Sequence, residues 1–261
     1  MRNEMKKLLD IMTALRNPQS GCPWDIKQTF KTIIPYTLEE AYEVADAIES
    51  GDMQELKSEL GDLLFQVVFY AQMAKEQGDF EFADVVETVS EKLIRRHPHV
   101  FAGVDCKDEA ELHEAWEKSK AVERDKQADI NKASILDGVA KALPSLKRAQ
   151  KLQKRAAREG FDWPEIEPVL EKIEEEIQEL RHAMQQNNQT SIFEETGDIL
   201  FSCVNLARHL GVDAEESLRG CNQKFEQRFS YIEKSLNKAG RSFQSCTITE
   251  LENLWQEAKD N

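Results

Sequence analysis

Apolar side chains recur at the spacing of one helix face along the segment 60–71, where leucine, valine and alanine lie three or four positions apart. Phe65, Phe69 and Tyr70 widen this stripe until it covers most of the helix surface. A helix that is apolar on so many sides is predicted to lie at the centre of a bundle. No segment alternates like a strand between turn signals, so the pattern predicts an all-α fold.

Helix boundaries can be predicted on the N-terminal side of this stripe. Thr37, followed three residues later by Glu40, predicts the start of the preceding helix, and Ser50 with Gly51 predicts its end. Asp52 then predicts the start of the helix that carries the stripe. Because the connection is short, we expect the two helices to be antiparallel neighbours.

The same arrangement of residues occurs twice along the 261-residue chain. SELGDLLFQVVFYAQ in the first half aligns without gaps with EETGDILFSCVNLAR in the second. The aligned pairs are 58–72 with 194–208, 38–43 with 174–179, and 111–120 with 250–259. Matches in this order favour an internal duplication.

A charged stretch without apolar periodicity separates the two copies. We therefore predict two tandem helical-bundle domains, at 1–122 and 133–261, joined by a polar linker at 123–132.

The net charge of −15 argues against stable binding to nucleic acid, because such a surface repels phosphate backbones. A small anionic substrate remains compatible with it if metal ions or a local basic patch receive the charge. The five cysteines form no C-x-x-C pair, the start of the chain is polar, and no apolar run is long enough to cross a bilayer. These features predict a cytoplasmic protein that binds no membrane.

Acidic residues at a spacing of three follow the duplication. Glu40 and Glu43 lie on one predicted helix face, and Glu59 and Asp62 lie on one face of the next. Four carboxylates brought together would repel one another, and a hard divalent cation such as Mg²⁺ would relieve that repulsion. The equivalent acids of the second half are Glu176, Glu179, Glu195 and Asp198.

Other interpretations of these acids stay open at the level of sequence. Acids on helices are usually just solvated, and Glu40 could be the third helical residue of a capping box with Thr37. A di-iron centre would need Glu-x-x-His on two helices, and only Glu179 with His182 fits that pattern. The motif also repeats a glycine, Gly61 in the first half, which suggests either a close approach by a helix or ligand, or tight packing alone.

Basic and aromatic residues provide candidates for binding a polyphosphate. Lys172 lies one turn before Glu176, while Lys224 and Arg228 lie four apart on a later predicted helix and match Lys92 and Arg96. Ordinary ion pairing on a helix face is the alternative. The tryptophans Trp116 and Trp255 recur near the end of each half and could stack on a base or pack in a core. Segment 147–158 forms one basic helical face, for which pairing with the acidic surface is slightly favoured over phosphate binding.

The chain resembles the MazG family of nucleoside triphosphate pyrophosphohydrolases. The family's motif E-E-x-x-E followed by E-x-x-D appears in both halves, beginning at Glu39 and at Glu175. Further stretches that resemble full-length bacterial members are GCPWD at 21–25, ELGDLLFQVVFYAQMA at 59–74, RRHPHVF at 95–101, RAQKLQKRA at 148–156 and GFDW at 160–163.

This resemblance implies two MazG-like helical bundles, a homodimer, and Mg²⁺-dependent hydrolysis of nucleoside triphosphates to monophosphate and pyrophosphate. It further implies that the C-terminal half carries the main activity, with Glu40, Glu43, Glu59 and Asp62 as a second candidate metal set. The implied metal ligands are Glu176, Glu179, Glu195 and Asp198, and the implied nucleotide contacts are Lys172, Glu175, Glu176, Glu194, Asp198, Lys224, Arg228 and Trp255.

The chemistry needs no covalent nucleophile, because metal ions can lower the pKa of a bound water and a carboxylate can accept its proton. Glu175 and Glu176 are the candidates for that catalytic role, and the water would attack the α-phosphorus. The alternative function is a non-catalytic helical dimer that senses nucleotides or binds a partner.

Overall fold

In the computed structural model, the residues that the structure describes are 2–104, 108, 111–112 and 134–259. The chain divides into two compact units, Met1–Glu123 and Arg124–Asn261. Every regular element among the described residues is helical, which confirms the all-α prediction. The linker predicted at 123–132 and Trp116 lie outside the described residues.

The first unit contains six helices within the part that is described. Helix α4 packs against α1, α3 and α5, so the helix with the apolar stripe is central, as predicted. The helices are α1 Arg2–Leu15, α2 Pro23–Lys27, α3 Phe30–Ser50, α4 Met53–Gln77, α5 Phe82–Arg96 and α6 Pro98–Phe101.

The second unit repeats the central helix pair. Helices α8 and α9 pack along each other as α3 and α4 do, and α9 also contacts α7 and α10. Its elements are α7 Ser145–Arg158, α8 Glu167–Gln185, α9 Gln189–His209, α10 Ala214–Lys238, a 3₁₀ turn Phe243–Ser245 and α11 Ile248–Glu257.

The predicted start of α3 at Thr37 is wrong. The helix begins at Phe30, where the side chain of Thr29 accepts from the Thr32 backbone N–H and the side chain of Thr32 accepts in return. The Thr37 hydroxyl instead donates to the Ile33 carbonyl at 3.2 Å, as mid-helix threonines do. Glu40 therefore has no capping role, and the capping-box interpretation of this acid is wrong.

The boundary between α3 and α4 matches the prediction. Gly51 adopts a left-handed φ of 74°, which ends α3. The Asp52 carboxylate accepts hydrogen bonds from the backbone N–H groups of Gln54 and Glu55, at 2.8 and 3.1 Å, and so starts α4. The two-residue connection brings the paired faces of α3 and α4 together.

The core of the first unit is aliphatic and aromatic. Phe69 has no exposed surface and packs with four other buried side chains and several partly buried ones. The five buried members of this cluster are Met12, Ile33, Val68, Phe69 and Met73.

At the position of Phe69, the repeat of the second unit carries Asn205, which is also buried. Its carboxamide oxygen accepts from Nε of Arg208 at 3.0 Å. Arg208 also donates to the Asp162 carboxylate at 2.9 Å, and the imidazole Nε2 of His209 lies 3.0 Å from the same group. A charged cluster thus ties the end of α9 to the turn before α8.

Among the residues described, no helix combines the length and the apolar character that a membrane crossing requires.

Candidate functional site

The helix pair of the first unit brings three carboxylates together. Glu40 and Glu43 project from α3 and Glu59 from α4, and each offers an oxygen within 4.8 Å of the others. The three-residue spacing places the two α3 acids on one face, and the short connection aligns α4 beside it. We call this group, with Asp62, the first acid cluster.

The second unit repeats this geometry. Glu176 and Glu179 on α8 and Glu195 on α9 offer oxygens that also lie within 4.8 Å of one another. Glu176 is only 5% exposed, so its charge is removed from most of the solvent. We call this group, with Asp198, the second acid cluster.

The fourth acid of each set lies outside the closest group but acts on it electrostatically. Burial raises the pKa of Glu40, and the charges of Asp62 and Glu43 raise it further. Burial likewise raises the pKa of Glu195, and the neighbouring charges of Glu179, Glu176 and Asp198 add to this effect. Each predicted quartet therefore forms one interacting set of carboxylates.

The donor set fits a hard divalent cation. Carboxylate oxygens are the ligands that such ions prefer, and binding one would offset the mutual repulsion. No histidine belongs to either group among the described residues. In the one Glu-x-x-His pair of the sequence, Glu179 belongs to the second cluster but His182 does not. The ring nitrogen of His182 lies 2.7 Å from the amide nitrogen of Gln186 instead. The di-iron alternative is therefore disfavoured.

A comparison with known families shows which family the chain belongs to. The model of the MazG nucleotide pyrophosphohydrolase domain matches the chain twice, at residues 28–101 and 165–232, and each match contains one acid cluster. The chain belongs to the MazG family. It is therefore a hydrolase that acts on acid anhydrides in phosphorus-containing compounds, and the family implies a divalent metal.

Curated relatives extend this similarity along almost the entire chain. A nucleoside triphosphate pyrophosphohydrolase of Escherichia coli K12 is 49% identical over 98% of this chain and 97% of its own length. A nucleoside triphosphate pyrophosphohydrolase/pyrophosphatase MazG of Thermotoga maritima is 42% identical over 97% of this chain and 95% of its own. An uncharacterised Bacillus subtilis protein, YabN, is 40% identical over 99% of this chain but 52% of its own length.

In this MazG protein the two clusters differ in the cation beside them. The Lys172 ammonium lies 2.8 Å from a carboxylate oxygen of Glu176 and 3.0 Å from one of Glu175. These contacts raise the pKa of Lys172 above its ordinary value, with the hydrogen bond to Glu176 as the largest cause. The equivalent position in the first half is Tyr36, which packs edge-on against Trp24.

Gln66 is a polar neighbour that the acid motif does not contain. Its amide nitrogen donates to Glu40 at 3.3 Å, while its buried amide oxygen has no partner among the described residues. The sequence did carry a signal, because Gln66 interrupts the apolar stripe of α4. The repeat places Ser202 at this position in the second unit.

Two of the predicted nucleotide contacts meet each other in the structure. The Arg228 guanidinium lies 5.5 Å from the ring centroid of Trp255, and the Phe225 ring lies 5.3 Å from the same tryptophan. Lys224 lines an open cavity of about 370 Å³ near the start of α10. In the described part of the chain, no hydrogen bond, ion pair or ring contact joins Lys224, Arg228 or Trp255 to the second acid cluster.

The basic face of α7 makes contacts within its own unit. Lys147 forms an ion pair with Asp213, the cap of α10, and Arg155 donates to the backbone carbonyl of Asp137. These contacts agree with pairing, the slightly favoured interpretation of this face.

The glycines of the two motifs lie in open space, so among the described residues neither a closely approaching helix nor tight helix packing explains them. A Cβ added at Gly61 or Gly197 would meet no atom within 4 Å. Both residues lie inside a helix and have ordinary helical backbone. Each therefore lowers the stability of its helix through the conformational entropy that glycine loses on folding.

We expect Gly197→Ala to raise the free energy of unfolding of the second unit by about 1 kcal/mol, because alanine is the better helix former. Urea denaturation followed by circular dichroism measures this change. Gly211→Ala is the control, since Gly211 has a φ of +70° that strains any other residue and should lower stability. A loss of stability in Gly197→Ala would show that the space beside it is filled in solution.

Proposed function

We propose that this protein hydrolyses nucleoside triphosphates to nucleoside monophosphate and pyrophosphate with Mg²⁺, at the second acid cluster, in nucleotide-pool housecleaning or regulation. The observation that carries the proposal is the convergence of Glu176, Glu179 and Glu195 beside Lys172. The names of the relatives from Escherichia coli and Thermotoga maritima support the substrate class.

Different residues of the second unit would bind the metal, the phosphates and the base. Glu176, Glu179, Glu195 and Asp198 would hold the metal, which when bound neutralises phosphate charge and activates a water. Lys224 and Arg228 would bind the phosphates, with Glu194 among the nucleotide contacts, and Trp255 would stack on the base.

Glu175 is better placed than Glu176 to accept the proton of the attacking water. Both side chains contact Lys172, but that of Glu175 is 56% exposed and can pass a proton to solvent, whereas that of Glu176 is 7% exposed. The water oxygen bonds to the α-phosphorus, the bond to the bridging oxygen breaks, and pyrophosphate leaves. The proton passes to Glu175 and then to solvent.

The first acid cluster is proposed as a second metal set that supports little turnover. Its carboxylates match those of the second cluster, but Tyr36 stands where Lys172 stands in the second half. A tyrosine supplies no fixed positive charge for a triphosphate.

Purified protein incubated with Mg²⁺ and a panel of canonical and modified triphosphates tests the proposed reaction. Monophosphate and pyrophosphate are expected in equal amounts, and chelation of Mg²⁺ should stop their release. Release of single phosphates, or binding without turnover, would instead favour another reaction or the non-catalytic nucleotide-sensing dimer.

We also propose a homodimer, because large apolar side chains lie exposed on the paired helices. Phe193 and Leu200 on α9 are 81% and 54% exposed, and Leu60 on α4 is 50% exposed. Surfaces of this kind commonly mark interfaces between chains. Analytical ultracentrifugation should give twice the chain mass, and Phe193→Asp should shift the protein toward the monomer.

The proposed setting is the cytoplasm, without stable binding to nucleic acid or membrane. The cysteines within the described residues, Cys22, Cys203, Cys221 and Cys246, are free thiols, which suits a reducing compartment. The net charge of −15 opposes association with polyanions.

The raised pKa of Glu195 predicts how pH affects the metal-free protein. A carboxyl whose pKa is higher in the folded than in the unfolded state destabilises the fold as pH rises above its ordinary pKa, about 4.3. Glu195→Gln should therefore raise the melting temperature at pH 7 with chelator present, and change it little near pH 4. Thermal denaturation at both pH values checks this. A lower melting temperature at pH 7 would contradict it.

A further inference from the structure

The ammonium of Lys172 contacts one of the carboxylates of the proposed metal site. It lies 2.8 Å from Glu176, the most buried carboxylate of the second acid cluster, and is itself about one-third exposed. Glu175, its other partner at 3.0 Å, is more than half exposed. The lysine therefore bridges an inner carboxylate that would bind the metal and an outer one that would not.

One carboxylate charge cannot fully compensate two cations. If a divalent ion takes the charge of Glu176, the attraction that holds Lys172 on that residue falls, and a second positive charge nearby is repelled. The exposed Glu175 can retain the lysine at the edge of the cluster, because it lies on the same helix face.

We propose that Lys172 is an exchangeable counter-ion of the second acid cluster. It pairs with Glu176 while the metal is absent, and it turns outward to the triphosphate when the metal takes that carboxylate. This inference rests on the proposed function and makes Lys172 a positioning residue as well as a phosphate contact. It couples the two ligands, because metal binding frees the cation that the substrate needs.

The first half provides an internal comparison. Position 36 carries a tyrosine, whose side chain packs edge-on on Trp24 with ring centroids 5.7 Å apart. This position supplies no ammonium that could compete with a metal ion for the carboxylates of the first cluster.

Calorimetric titration of the full-length protein with Mg²⁺, without nucleotide, measures the competition directly. The background carries Glu43→Gln and Glu59→Gln, so that heat reports the second cluster. Lys172→Met should tighten Mg²⁺ binding by at least about tenfold, the scale of one charge-assisted hydrogen bond. Lys75→Met is the matched control, since it removes the same charge from an exposed ion pair with Glu81 in the other unit.

A reciprocal variant in the first unit tests the same competition even if Lys172→Met disturbs the structure of α8. In a background with Glu179→Gln and Glu195→Gln, Tyr36→Lys should weaken Mg²⁺ binding at the first cluster by a similar factor. Equal Mg²⁺ affinity in wild type and Lys172→Met, or weaker affinity in the variant, would overturn the counter-ion proposal and leave the proposed function standing. Absence of Mg²⁺ binding in every variant would overturn both.

Discussion

Asp198→Asn is expected to lower kcat/KM for triphosphate hydrolysis by about 10²–10³-fold, as is Glu195→Gln, because each removes a negative charge from the proposed metal site. Glu195 contributes one of the three oxygens that converge within 4.8 Å, and Asp198 raises the pKa of that residue through its charge. Steady-state measurement of pyrophosphate release across Mg²⁺ concentrations checks the prediction. If the loss comes from weaker metal binding, high Mg²⁺ should restore part of the activity.

The first acid cluster supplies matched controls of identical chemistry. Glu59→Gln and Asp62→Asn remove the same charges from the same positions of the repeat, and both variants should keep most of the activity. A large loss in these two variants, with little loss in the others, would move the active site to the first unit. Comparable losses in both pairs would mean that both clusters turn over substrate.

Phe69→Ala should lower the free energy of unfolding of the first unit by about 3–5 kcal/mol, the usual cost of a large cavity in a packed core. Phe69 has no exposed surface, meets Phe65 edge-on with ring centroids 5.7 Å apart, and lies beneath the Arg16 guanidinium. Few of these neighbours can move to fill the space, because α4 is fixed against α1 and α3. Urea denaturation followed by far-ultraviolet circular dichroism gives the difference.

Phe161→Ala is the control for this change of residue type, because Phe161 is 84% exposed. Its truncation should alter stability by no more than about 0.5 kcal/mol. Similar losses in the two variants would show that Phe161 is buried in solution, for example by a second chain.

The sequence predicts the helix pairs well where the local signals are steric or strongly polar. Asp52 caps α4 and Gly51 ends α3, because a carboxylate can accept exposed backbone N–H groups and glycine adopts positive φ without strain. The convergence of the acids follows from the same boundaries, since two aligned helices with acids three residues apart leave little freedom in where the carboxylates point.

The start of α3 shows where local signals fail. Thr29 and Thr37 are equally suitable caps by residue type, and Pro35 between them favours a boundary after it. Packing decides otherwise, because Ile33 is buried in the core and the Thr37 hydroxyl lies 2.9 Å from the hydroxyl of Tyr70. A contact between residues 33 positions apart cannot be predicted from the residues next to either of them.

The partner of Lys172 could not be decided from spacing alone. A lysine four residues before Glu176 is compatible both with pairing on the helix and with reaching a phosphate. The structure shows the paired state, and burial of Glu176 explains it, because a charge removed from water needs a close counter-ion. Within the described residues no direct contact joins Lys224 or Arg228 to this group, and this too depends on tertiary structure.

The exchange of Phe69 for Asn205 at one buried position has a thermodynamic consequence for the duplicated chain. Burial of apolar side chains contributes a stability that changes with temperature, because it carries a large change in heat capacity, and that depends little on ionic strength. The cluster of Asn205, Arg208 and Asp162 depends on charge, so salt screens it and acid protonates it. At this buried position, therefore, salt and acid should weaken the contacts of the second copy and leave the apolar packing of the first copy almost unchanged.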